Sequence, residues 1–174
     1  MEGKMKKVIW LVCCFIIISV SAFATMPARY FAPKEIKLKI ETKGAESFKT
    51  DVIVLVSVKA VVGTLKDLEL FFNYSPNLKG SNSGVKIGDL AEGSTKVVEL
   101  TVRKASNKTK SATWVQIRAS YFPDYAAIIE AVKADIKNYP NSSARNTLLS
   151  GLAKHQSEGG SQKKNEGLTY NFTE

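Results

Sequence analysis

From residue 34 to residue 121, segment after segment places an apolar side chain at every second position. Ile36, Leu38 and Ile40 alternate with Lys37, Lys39 and Glu41, and Leu68, Leu70 and Phe72 alternate up to a Ser75-Pro76-Asn77 turn. Val98, Leu100 and Val102 alternate with Glu99, Thr101 and Arg103, and Val115, Ile117, Ala119 and Tyr121 close the series. A period of two puts one row on each side of an extended strand, so each segment buries one face and wets the other. Residues 51–61 are valine-rich and apolar on both sides as far as Leu55, which predicts a central strand covered on both faces at its start. With residues 85–87 these segments make six strands divided by Gly, Ser, Pro and Asn turns, with no helix between them. That pattern specifies an antiparallel sandwich.

After Tyr121 the period lengthens. Tyr125, Ile128, Ile129, Val132 and Ile136 fall on one side of a helix over 124–138, with Glu130, Lys133 and Lys137 opposite. Pro123 and Asp124 open it and Pro140 closes it. Ser142 or Ser143 is expected to cap a weaker second helix, in which Ala144, Leu148 and Leu152 share a face. Residues 156–167 are polar and carry glycine, so they read as a flexible linker. Leu168, Tyr170 and Phe172 then alternate as a short terminal strand at the end of a tail over 156–174.

The segment from Gly88 to Lys96 has the glycine separation of a phosphate-binding loop. That loop requires lysine directly after its second glycine and a helix directly after its hydroxyl residue. Here Ser94 holds the lysine position, Lys96 comes two places late, and residues 97–103 alternate as a strand. A turn accounts for the segment better: Leu90 points inward, Gly93 supplies a positive φ, and Ser94 and Thr95 restart extended chain. The motif Leu90-Ala91-Glu92-Gly93, together with Val52 to Val58, Leu68 to Phe72 and Val115 to Ala119, resembles bacterial immunoglobulin-like modules of exported proteins. The cell-adhesion-related domains are one such family, and the resemblance covers residues 50–121. It implies a mainly β, antiparallel immunoglobulin-like β-sandwich over 34–121, used for binding or spacing, to which the helical periodicity adds a C-terminal helical segment over 122–155. It implies no catalytic residue.

Lys4, Lys6 and Lys7 precede an uncharged apolar run over residues 8–20 and the sequence Ala22-Phe23-Ala24. The run is shorter than the roughly 18 to 20 residues of a bilayer span, so 1–24 reads as a cleaved signal peptide and 25–33 as a lead-in. Membrane contact is expected only through this leader, and the destination is the periplasm or the medium. Cys13 and Cys14 leave with it, so no disulfide or thiolate metal site is expected, and no cofactor. The whole chain carries +9, of which about +7 lies after the leader. Such a charge favours anionic envelope surfaces, while export excludes nucleic acid as a partner.

Candidate chemistry is sparse. His155 is the single histidine and is expected to sit exposed in polar chain, which argues against a zinc site or a catalytic triad. No pair of carboxylates is singled out by spacing, so an enzyme is not expected. Trp114, Gln116 and Arg118 share the strand face opposite Val115, Ile117 and Ala119. Open to solvent, they are a candidate face for a sugar, an anionic glycan or a protein. Covered, they would lie beneath the helix over 124–138, and coverage is the expected arrangement. The apolar stripe Tyr125, Ile128, Ile129, Val132 and Ile136 is a candidate face for an envelope protein partner if the sandwich leaves it bare. The expected function is non-catalytic binding or structural work in the cell envelope through protein contacts; the alternative is an accessory module for carbohydrate or anionic polymer.

Overall fold

The computed structural model describes residues 32–43, 51–105, 113–158 and 162–172. The expected leader and most of the lead-in lie outside the described residues. Among the described residues, eight strands and two helices run in the order β1 (Ile36–Lys43), β2 (Val52–Ala60), β3 (Leu65–Tyr74), β4 (Leu78–Gly80), β5 (Gly84–Leu90), β6 (Thr95–Lys104), β7 (Thr113–Phe122), α1 (Tyr125–Ala134), α2 (Ser142–Ser157) and β8 (Lys164–Phe172). All pairings are antiparallel, in one sheet ordered β1-β2-β6-β4 and a second ordered β5-β3-β7-β8. This is the mainly β, antiparallel sandwich expected from the alternation.

The alternating apolar rows meet between the sheets. Val52, Val54, Val56 and Val58 of β2 and Leu100 and Val102 of β6 face Leu65, Leu68, Leu70 and Phe72 of β3 and Val115, Ile117 and Ala119 of β7, nearly all of them fully buried. Each such side chain contributes about 1.5–3 kcal/mol by leaving water, so this layer carries most of the fold's stability. The expectation that β2 is covered on both faces fails: Ile53 and Leu55 are only half-buried on the outer side. Their cross-strand neighbours Lys43 and Glu41 are long side chains that shield them in part while keeping their charged ends in water.

The glycine segment is a junction between sheets. β5 ends at the buried Leu90 and the chain crosses through Ala91 to Ser94 into β6 of the other sheet. Gly93 has φ +77, its amide donates to the Ala60 carbonyl at 2.9 Å, and the Ser94 amide donates to Ala91. Gly88, with φ +80, lies where the β3–β5 register slips opposite Leu68.

Three expectations about the C-terminal third need correction. The helices are inserted between β7 and β8 and are followed by a strand of the sandwich. β8 runs nine residues, pairing from Tyr121–Lys164 to Thr113–Phe172, so residues 164–167, expected to be linker, belong to the sheet. Ordering this polar segment needs the non-local ladder to β7, which local composition does not report. α1 stops at Ala134, where Asp135 leaves helical geometry and its carboxylate accepts from the Asn138 amide at 3.1 Å. Ile136 therefore lies beyond the helix and is 63% exposed. α2 extends through Ser157, and its cap is Asn141, whose side chain accepts from the Ala144 amide at 3.0 Å.

Ile128 and Val132 of α1 pack on Leu152 of α2 and on Tyr139, with Leu148, Leu149, Ala32 and Val62 around them. The stripe, a candidate partner face only if the sandwich left it bare, is covered apart from Ile136 by the chain itself, with α2 in place of the sandwich supplying the facing apolar side chains. Tyr125 and Ile129 join this cluster half-buried. The pair sits at one end of the sandwich, where the N-terminus of α1 lies over Gly63. A Cβ at that glycine would fall 2.7 Å from Ala127 and Asp124, and its φ is +67, so both contact and backbone demand glycine. No helix among the described residues is long and apolar enough to cross a membrane.

Candidate functional site

The outer face of the sheet β5-β3-β7-β8 is open. Burial alternates along β7, with Trp114 half-buried and Gln116 and Arg118 exposed on the outward side. The expected cover over Trp114 is absent because α1 turns away to the end of the sandwich and buries its stripe against α2. The three sequence-chosen residues therefore share one exposed strand face.

Cross-strand register adds residues that one-dimensional reading did not collect. Arg118 lies opposite Phe71 on one side and Gly167 on the other, Gln116 opposite Asn73 and Thr169, and Trp114 opposite Asn171. The Arg118 guanidinium sits over the Phe71 ring, 5.1 Å from its centre, within cation–π range. The Asn73 amide donates to the Gln116 carbonyl oxygen at 3.3 Å. Phe71 faces Gly84 on its far side, so the Phe71–Arg118 row ends in a glycine at both sheet edges. The arrangement is a shallow surface of two aromatic side chains, one guanidinium and several amide and hydroxyl groups.

At the end of this face nearest the helices, charges are paired tightly. The Lys163 ammonium meets Asp67 at 2.6 Å and Glu69 at 3.4 Å and lies 5.4 Å from the centre of the Phe122 ring. Lys86 approaches Asp67 at 3.2 Å. Asp67 has φ +48, an uncommon conformation for a residue with a side chain, and its amide donates to the Asp89 carboxylate at 2.9 Å. Hydrogen bonds from Lys163 and then Lys86 hold the Asp67 carboxyl below the usual carboxylate range, and Asp67 in turn raises the Lys163 ammonium. Lys164 meets the buried carboxylate of Glu35 at 2.5 Å, and Tyr121 donates to the same group at 3.3 Å. Burial, followed by the charge of Glu35, pushes the Tyr121 phenol up.

These paired groups anchor β8 and the helical insertion to β1 and β3. Asp67 is shifted away from the range in which a carboxyl gives up a proton near neutrality. His155 is exposed, as expected, but it sits on the last turn of α2 with its ring stacked 6.1 Å from that of Tyr125. Among the described residues no group of three or more His, Cys, Asp or Glu is placed to hold a metal ion.

The chain matches no family model and no curated protein.

Proposed function

We propose that this chain is a non-catalytic binding module of the bacterial cell envelope, exported to the periplasm or medium, that holds a glycan on the open β5-β3-β7-β8 face. The observation that carries the reading is the outward face shared by the half-buried Trp114 and the exposed Gln116 and Arg118, in register with Phe71, Asn73, Thr169 and Asn171. A sugar ring has an apolar C–H face that an aromatic side chain can cover, and a rim of hydroxyls that amides can bond. Arg118 adds a planar donor for an acidic substituent on the polymer.

The leader's composition supports export, and the resemblance to bacterial immunoglobulin-like modules belongs to the same proposal. Protein contact is the second reading. Trp and Arg are also the residue types that anchor protein interfaces, and they share this outward face. The helix stripe no longer supports it, since α2 covers that surface.

Retention on insoluble peptidoglycan and on immobilised acidic polysaccharide tests the proposal. The expected result is retention that weakens with salt through Arg118 and is lost in Trp114→Ala. Absence of retention on every polysaccharide, with specific capture of an envelope protein through Trp114, replaces the glycan with the protein reading. Mass spectrometry of the exported protein should find Thr25 as its N-terminus, and an intact leader contradicts the export part.

A further inference from the structure

A second concavity lies away from the sheet face. Between α2 and the chain leading into β8 is a cleft of about 700 Å³, within the size range of small-molecule sites. One wall is the face of α2 carrying Leu148, Gly151, Leu152 and His155; the other holds Tyr125 and Gln162.

Among the described residues nothing accounts for Gly151. It sits in the middle of α2, where glycine weakens a helix relative to alanine. Among the described residues a Cβ placed there would meet no atom within 4 Å, so no described element needs the space. The helix gives up stability at the point where its backbone opens onto the cleft. A ligand pressed against that backbone supplies the missing reason.

The walls define its chemistry. Lys163 and Lys164 line the cleft but are already paired, the first with Asp67 and Glu69 and the second with Glu35. Glu158 lies 3.6 Å from Lys154. Because the cleft's lysines already face carboxylates, it offers an anion little unbalanced positive charge, which favours a neutral ligand. The Tyr125 and His155 rings, inclined by 20°, offer an aromatic edge, and Thr147 and Gln162 offer polar groups.

We propose that this cleft binds one neutral sugar unit, stacked against the Tyr125–His155 pair and in contact with the Gly151 backbone. The proposal rests on the reading of the chain as a glycan binder and places a second, independent subsite on it.

The test is an amide chemical-shift titration of the protein with cellobiose, maltose and N,N′-diacetylchitobiose as probes, and with glucuronate as an anionic control. The expected result is saturable shifts at Gly151, His155 and Lys163 with at least one neutral probe and none with glucuronate. Gly151→Ala should raise the melting temperature while weakening that probe about tenfold. Trp114→Ala should leave the cleft titration unchanged, which separates this site from the sheet face. Silence at the cleft with all three neutral probes, a response to glucuronate alone, or unchanged affinity in Gly151→Ala overturns the proposal.

Discussion

The two outer faces of the sandwich are built by the same alternation and carry opposite surface chemistry. On β1-β2-β6-β4 the outward row holds Lys37, Lys39, Lys43, Lys59, Lys79 and Arg103 against Glu41 and Glu99, around the partly exposed Ile53 and Leu55 and a Val97 that is 53% exposed. On β5-β3-β7-β8 the carboxylates and lysines cluster in pairs at one end, and the rest of the face is aromatic and amide around the single guanidinium of Arg118. Lysines on long flexible stems make a diffuse attraction for any anionic surface, one that salt screens. Rings and amides fixed by register can recognise a shape. The first face accounts for much of the chain's positive charge, and the second is the better candidate for selectivity.

The largest expected effects show that the faces share one core. Leu100→Ala beneath the lysine face and Ile117→Ala beneath the aromatic face should each cost about 2–5 kcal/mol in denaturant melts, because both side chains are fully buried between the sheets. A variant that unfolded normally would mean that its sheet does not contribute to that core.

Replacing Phe71 and Trp114 together by alanine should weaken glycan retention by about 2 kcal/mol or more, with a much smaller change in melting temperature, since both rings are partly exposed. Equal losses of stability and retention would make the two rings structural. Charge reversal on the other face, Lys37→Glu with Lys59→Glu, should leave selective retention intact and reduce only the salt-sensitive attraction, by roughly 1 kcal/mol or less. If selective retention falls instead, the assignment of the two faces is inverted.

The corner between the aromatic face and the helices gives a pH-dependent prediction. The Asp67 carboxyl is held low by Lys163, so it contributes stability above the ordinary carboxylate range and loses it as pH falls through its lowered value. Melting temperatures of wild type and Lys163→Met should therefore differ most near neutral pH and converge in acid. Parallel curves across that range would show that the ion pair does not couple to folding. The smallest effect is expected from Arg118→Lys, which keeps the charge but loses the guanidinium over the Phe71 ring; about 0.5–1 kcal/mol of binding should go, seen as a modest shift in salt elution.

The sandwich was legible because each strand's burial is written locally: Leu70 and Leu100 follow from a period of two whichever partner they meet. The turn at Gly93 was legible for the same reason, since positive φ is a property of one residue. Non-local structure was not. Nothing near Asn165 or Gly167 says that β7 will order them, and Leu148 and Leu152 gave no sign that they would cover Ile128 and Val132. Trp114, Gln116 and Arg118 were found as one strand face, but Phe71, Asn73 and Thr169 join them only through register. His155 was read as exposed, which it is, while its stacking on Tyr125 depends on how the two helices fold back on each other.

The most direct test of the glycan-face assignment is an amide-shift map of the wild-type protein titrated with soluble peptidoglycan fragments. The expected result is a contiguous set of shifts around Phe71, Asn73, Trp114, Gln116, Arg118 and Thr169, absent in Trp114→Ala, with β1 and β2 unchanged. Shifts confined to the lysine face of β1-β2-β6-β4 and untouched by Trp114→Ala would contradict it.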